Sequence, residues 1–378
     1  MMKKIEWKNY ANYIVIAIFA VVFAVMSISG SLATSNIYLL EKIALSVILA
    51  VALSRVVGFL GELSLGHAGF MCVGAYLGGK VAVLLVPILG NGIITLVISL
   101  LVGGAVAAIC GFVIGLPALR LRGDYLAIVT LAFGEIVKSI FMNSSRDSFG
   151  GSLGLDTPRY SKDTLFIIAF VLVLLCLAAV QNIIRSKHGR AITAIRDNEI
   201  AAKATGINVT KYKLIVFAMS SFFAGIAGVL YSFSNYTVQS MKFGYNYSIE
   251  ILVMVVLGGM GNINGSIIAA ALITFLDNWL QTRLTGDLAV LQDFLYALIL
   301  IVLVIYNNAP ALKGFREKYN MSNLLHKIKL AMTHDPAKRR EDEAKWDRIP
   351  TKIEMNEVLS VDLKVNDYTP DKGKKEGE

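Results

Sequence analysis

Long apolar runs separated by short polar breaks fill the chain between residues 11 and 306, while charged residues gather in the last seventy or so. A helix needs about 20 apolar residues to cross the hydrocarbon core of a bilayer. The pattern predicts spans at roughly 11–29, 39–59, 66–86, 92–116, 124–142, 164–184, 214–234 and 288–306. The stretch 248–279 is different, because its two apolar pieces, Ile249–Leu257 and Ser266–Leu276, are separated by the glycine- and asparagine-rich Gly258–Gly265. One continuous helix there would be about 48 Å long at 1.5 Å per residue, longer than the core it would cross.

Charge placement chooses between the readings. Lys3, Lys4 and Lys8 precede the first run, and Arg185, Lys187, Arg190, Arg196, Lys203, Lys211 and Lys213 crowd the segment 185–213. Lys313, Arg316 and Lys318 open the tail. Short basic loops sit on the cytoplasmic side of a membrane. All three regions are cytoplasmic only if 248–279 crosses twice or dips in and returns. The expected fold is an all-α polytopic membrane protein of about ten membrane segments, or of eight spans plus a re-entrant hairpin. The expected membrane body is 1–312, with a cytoplasmic loop at 185–213 and a charged, partly disordered tail at 313–378. Both termini are expected in the cytoplasm. The first run, Tyr13–Ile28, exceeds the 7–15 apolar residues of a signal peptide, so it reads as a retained span.

Composition agrees. The chain of 378 residues is 56% hydrophobic and 17% charged, against about a quarter charged in soluble proteins. The net charge of +9 does not point to nucleic acid, because its sources lie in short loops and the tail. Cys72, Cys110 and Cys176 each lie in an apolar stretch without metal-site spacing.

Bare backbone cannot face lipid. The break Gly258–Gly265 must therefore face protein or water, and a comparable break runs from Gly58 to Gly69. Matching interruptions in two halves of a transporter point to a solute path, although small residues equally permit close helix packing. Ser64, Gly66, His67, Gly258, Gly259 and Gly261 are the candidate path positions in the breaks. Glu135 joins them, being an ionisable residue in mid-span, with Lys138 one turn later able to pair with it.

No energy source is visible in the chain. The nearest phosphate-loop match, Gly74–Val81, ends in Val instead of a hydroxyl residue and lies in an apolar run. No catalytic cluster or metal cluster is apparent, so no cofactor and no enzyme activity are expected of the chain itself. In the basic loop, Asp197 can cap a helix over Asn198–Thr205 and Gly206 can end it in the left-handed conformation. Ala201, Ala202 and Ala204 offer a small surface for close docking of another protein.

Four ordered stretches carry a family resemblance. The loop Ala194-Ile195-Arg196-Asp197-Asn198-Glu199, followed by Ala201-Ala202 and Thr205-Gly206-Ile207, resembles the coupling motif of ATP-binding-cassette import permeases. Gly61–Phe70, Leu119–Ile136 and Leu257–Gly261 are similar to segments of the branched-chain amino acid permeases, of the M-type, across about residues 40–306. The resemblance implies an importer permease fold and uptake of leucine, isoleucine and valine, with urea, short amides or nucleosides as alternatives. A stand-alone secondary transporter is the other reading. The implied partners are a second, H-type permease, two cytoplasmic ATPases that bind ATP and magnesium, an extracytoplasmic substrate-binding protein and membrane lipid. Arg190, Arg196, Asp197, Glu199, Ala201, Ala202 and Gly206 would form the ATPase-coupling loop.

Remaining charged positions read as structural. Glu41 and Lys42 reach the outer interface, Arg122 and Asp124 open a helix near the inner surface, and Asp277 and Arg283 are solvated near a turn. The apolar spacing of residues 324–330 predicts a short interfacial helix in the tail.

Overall fold

A computed structural model describes residues 33–121, 123–160, 162–284 and 290–308, with single positions between Tyr13 and Ser29. Most of the expected first span, Lys3, Lys4, Lys8, Arg122 and everything from residue 309 onward, with its patch 324–330, lie outside the described residues. Two compact units divide at Ile305, and only 306–308 of the second are described.

Helix α1 runs Thr34–Ser54 and continues as a π-helical turn, Arg55–Leu60. Gly61 ends it with φ at 79°, a conformation glycine adopts without a Cβ penalty. Residues 61–66 are non-helical, and α2 follows at His67–Leu89. Then come α3 (Ile93–Ala118), α4 (Asp124–Met142) and α5 (Lys162–Arg185). The basic loop folds into α6 (Lys187–Asp197) and the short α7 (Glu199–Ala204). After α8 (Val209–Ser234) come α9 (Tyr245–Gly258), α10 (Ile263–Arg283) and α11 (Val290–Asn308). Two-residue strands β1 (Leu155–Asp156) and β2 (Thr237–Val238) pair antiparallel.

Seven helices among the described residues are long and apolar enough to cross a membrane: α1 with its π turn, α2, α3, α4, α5, α8 and α10. The region 248–279 is a helical hairpin of α9 and α10. At 14 residues, α9 is only about 21 Å long.

Burial puts α1 and α8 at the centre, with 89% and 67% of their spans enclosed by protein. Without water to drive apolar association, helices in lipid pack through small residues. Gly74 of α2 lies against Gly225 of α8, and a Cβ on Gly225 would stand 2.8 Å from the Gly103 carbonyl of α3. A side chain at either position would force these backbones apart.

Contacts orient the bundle. Ser234 at the end of α8 donates to Glu41 near the start of α1 at 2.7 Å, and Lys42 pairs with Asp277 of α10 at 2.9 Å. These mark one end of the bundle, while α6, α7 and the 259–262 turn mark the other, the basic end. Asp277 is thus part of α10 and ion-paired, not in a solvated turn, because the helix carries on through to Arg283. Glu41 is buried at 3% exposed, deeper than an interface position, because α8 covers it.

Two helices begin inside the bundle. His67 opens α2 with Nε2 at 2.6 Å from Ser220 Oγ, eleven residues into α8, or about 17 Å from its start. Tyr245 opens α9 by donating its N–H to Glu135 at 2.8 Å, eleven residues into α4. Each follows a segment without α-helix, 61–66 and 235–244, the second holding β2 and a 3-10 turn at Ser240–Phe243, that re-enters from one end of the bundle. The two re-entrant segments come from opposite ends.

Candidate functional site

The first site is the junction beneath the basic loop. Ser186 caps α6 by accepting from His188 and Gly189. Asn198, not Asp197, caps α7, its Oδ1 accepting from Ile200 and Ala201 at 3.0 Å each. Asp197 is instead the last residue of α6, where it pairs with Arg196 at 2.9 Å. An extra helix before α7 uses up the position that a longer single helix would have left to its cap. Gly206 ends α7 with φ at +84°, and the Ile207 N–H returns to the Ala202 carbonyl at 3.1 Å. The left-handed terminus predicted there is present.

The exposed face of α7 comprises Ile200, Ala201 and Ala204, with Ile200 73% exposed. Ala202 turns inward and is buried, so it supports α7 from beneath. Arg190 is exposed on α6.

Arg196 reaches across both glycine breaks. Its Nη1 donates to the Gly58 carbonyl in the π turn at 3.1 Å, and its methylenes lie where a Cβ on Gly61 would fall, 2.7 Å from Cγ. A Cβ on Gly261 would stand 3.8 Å from the same Nη1, and Gly58 itself packs against the Gly261 backbone. The two breaks therefore meet each other at the basic end. Gly258 packs against Gly265 across the hairpin turn, and Gly259 and Gly261 take φ of 89° and 83° there.

Lys213, in the second turn of α8, is buried and pairs with Glu62 and, at 3.3 Å, with Glu199. Glu199 also holds Lys203 at 2.8 Å, one helical turn along α7. The Lys203 ammonium first, and Lys213 second, hold the Glu199 carboxyl below the usual carboxylate range against partial desolvation. A cleft of about 400 Å³ lies among these groups, lined by Glu62, Gly123, Arg196, Glu199 and Lys213 among others.

The second site is on α4. Glu135 uses both carboxylate oxygens, one for the Tyr245 N–H at 2.8 Å and one for Lys138 at 2.5 Å. A carboxylate at the first turn of a helix suits its unpaired N–H groups and positive dipole end. The pair is half-buried and lies beside a groove of about 460 Å³ lined by Glu135, Ile136, Ser139, Ile140 and Asn143.

His67, Ser64 and Gly66 sit elsewhere, packed inside the chain. Thr130 of α4 donates to the Ala127 carbonyl at 3.1 Å and accepts from the Leu65 N–H at 3.0 Å, which satisfies re-entrant backbone at membrane depth. Gly66 packs on the same residue, where a Cβ would come 2.9 Å from the Thr130 carbonyl.

Sequence reasoning did not single out Glu62, Lys213, Thr130 or Ser220. Lys213 looks like one more basic loop residue until α8 is seen to start at Val209 and to turn it inward. Glu62 is the one carboxylate between Lys42 and Lys80, a signal that could have marked it.

Residues 35–304 match the family model described as the permease component of branched-chain amino acid transport systems. The chain is 35% identical over 258 residues to the high-affinity branched-chain amino acid transport system permease protein LivM of Salmonella typhimurium, covering 60% of this chain and 59% of that protein. LivM of Escherichia coli K12 is 34% identical over the same shares. The ribose import permease protein RbsC of Escherichia coli K12 is 26% identical over 310 residues, covering 78% of this chain and 92% of that protein. The chain spans about three-fifths of the length of the LivM relatives it matches. No solved structure matches.

Proposed function

The chain belongs to the permease-component family of branched-chain amino acid transport systems, and on that premise we propose that it translocates leucine, isoleucine and valine into the cytoplasm as the M-type subunit of an ATP-driven importer. Membership makes it a multi-pass membrane permease, which is not an enzyme by itself. An H-type permease completes the pore, two cytoplasmic ATPases supply force from ATP and magnesium, and an extracytoplasmic binding protein delivers substrate. The basic end is the cytoplasmic end.

The observation that carries the reading is α7: a short helix capped at both ends, with Ile200 and Ala201 outward and Glu199 tied to the bundle beneath, as is Arg196 at the end of α6 just before it. An ATPase gripping that face would move the junction of the two glycine breaks directly. Alternating access needs such a two-state element, biased by contacts that differ between its states.

The path runs along the open face of α4 in this reading. Tyr125, Ile128, Ile136 and Ile140 are exposed there, with Glu135 and Lys138 among them. Charged groups at membrane depth face protein or a water-filled cavity, not lipid. The second permease would therefore lie opposite this face, with substrate passing between. His67, Gly66 and Ser64 hold α2 in place behind it, and Gly258, Gly259 and Gly261 form the hairpin pivot.

Substrate choice is tested by uptake into vesicles carrying the reconstituted complex. Labelled leucine should accumulate on ATP addition and be displaced by isoleucine and valine. Accumulation of urea or ribose in preference to leucine would reassign the substrate.

A further inference from the structure

We infer that Lys213 is a positioning residue that locks the coupling helix α7 to the re-entrant segment 61–66, so that ATPase movement reaches α2 through one ion-pair relay centred on this buried lysine. The inference rests on the importer reading of α7. The relay runs Lys203, Glu199, Lys213, Glu62, and each link is an ion pair. Its first members lie on α7 and its last is the second residue of the segment.

Helix α8 holds that segment at both ends. Lys213 binds Glu62 where the segment begins, and Ser220 binds His67 where it ends. Residues 213 and 220 are two turns apart and share one face of α8. Ser220 also donates to the Ala52 carbonyl at 2.5 Å, which ties α1 to the same face. Between those fixings the backbone has no helix of its own. Segment 61–66 is thus tied to α8 at both ends, with a further hold on α4 through the Leu65 N–H. Glu199 is the side chain that joins α7 to this unit through Lys213. A second tie, Arg196 to the Gly58 carbonyl, joins α6 to the π turn just before the segment.

Stability alone is a poor reason for such a relay. A buried ion pair adds little over an apolar pair of the same volume, because desolvation cancels most of the attraction. Two carboxylates sharing one buried ammonium, with one of them on a surface helix, suit a mechanical connection instead. The outer limb, Glu199 to Lys213, is the longer one at 3.3 Å and the more exposed.

The test uses the complete complex in sealed vesicles, reading ATP hydrolysed and labelled leucine taken up in the same sample. The double variant Glu62→Gln with Lys213→Met removes both charges at similar volume and leaves no orphan ion. Assembly and hydrolysis are expected to persist, while leucine moved per ATP falls about tenfold, within the usual range of coupling between sites. Lys213→Arg should restore most of the ratio. Glu199→Gln keeps the buried pair and removes the ion pairs of Glu199 with Lys213 and with the exposed Lys203, so it should lower the ratio even if the double variant fails to assemble. A wild-type ratio in Glu62→Gln/Lys213→Met or in Glu199→Gln overturns the inference. So does an equal loss of hydrolysis and uptake, which marks the pair as merely structural. Wild-type complex that hydrolyses ATP without any uptake would instead overturn the importer reading.

Discussion

Gly58 and Gly261 meet backbone to backbone: a methyl on Gly58 would stand 2.9 Å from the Gly261 Cα. This approach brings the π turn of α1 against the α9–α10 hairpin, and Arg196 covers the seam. Gly58→Val should therefore destabilise the protein by about 1–3 kcal/mol, the usual cost of overpacking. The loss is read as a lowered Tm in detergent. An unchanged Tm would mean that the two breaks do not touch.

Gly206 has open space around it but a left-handed backbone at φ +84°. Gly206→Ala is expected to cost about 1–2 kcal/mol, all of it local to the end of α7. Asn tolerates that conformation, so Gly206→Asn should behave closer to wild type. Co-purification of the ATPase subunits measures the difference. Equal retention by all three proteins would remove Gly206 from the docking account.

Titration offers a separate check on α7. The Glu199 carboxyl has its acid constant shifted down by Lys203 and Lys213. A lowered value in the folded state stabilises above the unfolded carboxylate range, near about 4.3, and that contribution is lost as pH falls through the folded value. Amide exchange across Ile200–Ala204 should stay slow at pH 6 to 7, roughly two units above that range. Corrected for the intrinsic slowing of amide exchange at lower pH, the protection there should fall in acid before the spans unfold. Glu199→Gln should remove this pH dependence.

Glu135 joins α4 to the start of α9. Glu135→Gln keeps an oxygen for the Tyr245 N–H but gives up the ion pair with Lys138. Leucine uptake should fall about tenfold, since an unpaired polar group at depth costs about 1–3 kcal/mol. Glu135→Leu loses both partners and should fall further. Uptake that is unaffected in both would place the path away from α4.

The spans are legible in the chain because apolarity sustained over about twenty residues has one structural meaning in lipid. The prediction of 124–142 coincides with α4, and Gly206 closes α7 as its lack of a side chain suggests. Hydropathy does not report backbone state, so it misses the π turn at Arg55–Leu60, whereas the glycine break from Gly58 to Gly69 does mark the non-helical run at 61–66. The Glu135–Lys138 pair is readable from helical spacing, whereas Lys213 with Glu62 is not, since only the folded bundle brings them together. Asp197 and Asn198 are both good caps, and local sequence could not decide between them.

The most direct test reconstitutes the chain with its H-type partner in sealed vesicles, with and without the ATPase subunits, and follows labelled leucine against time in the presence of the binding protein. Accumulation against a gradient only when the ATPases and ATP are both present is the predicted result. Concentrative uptake by the permeases alone would contradict the account.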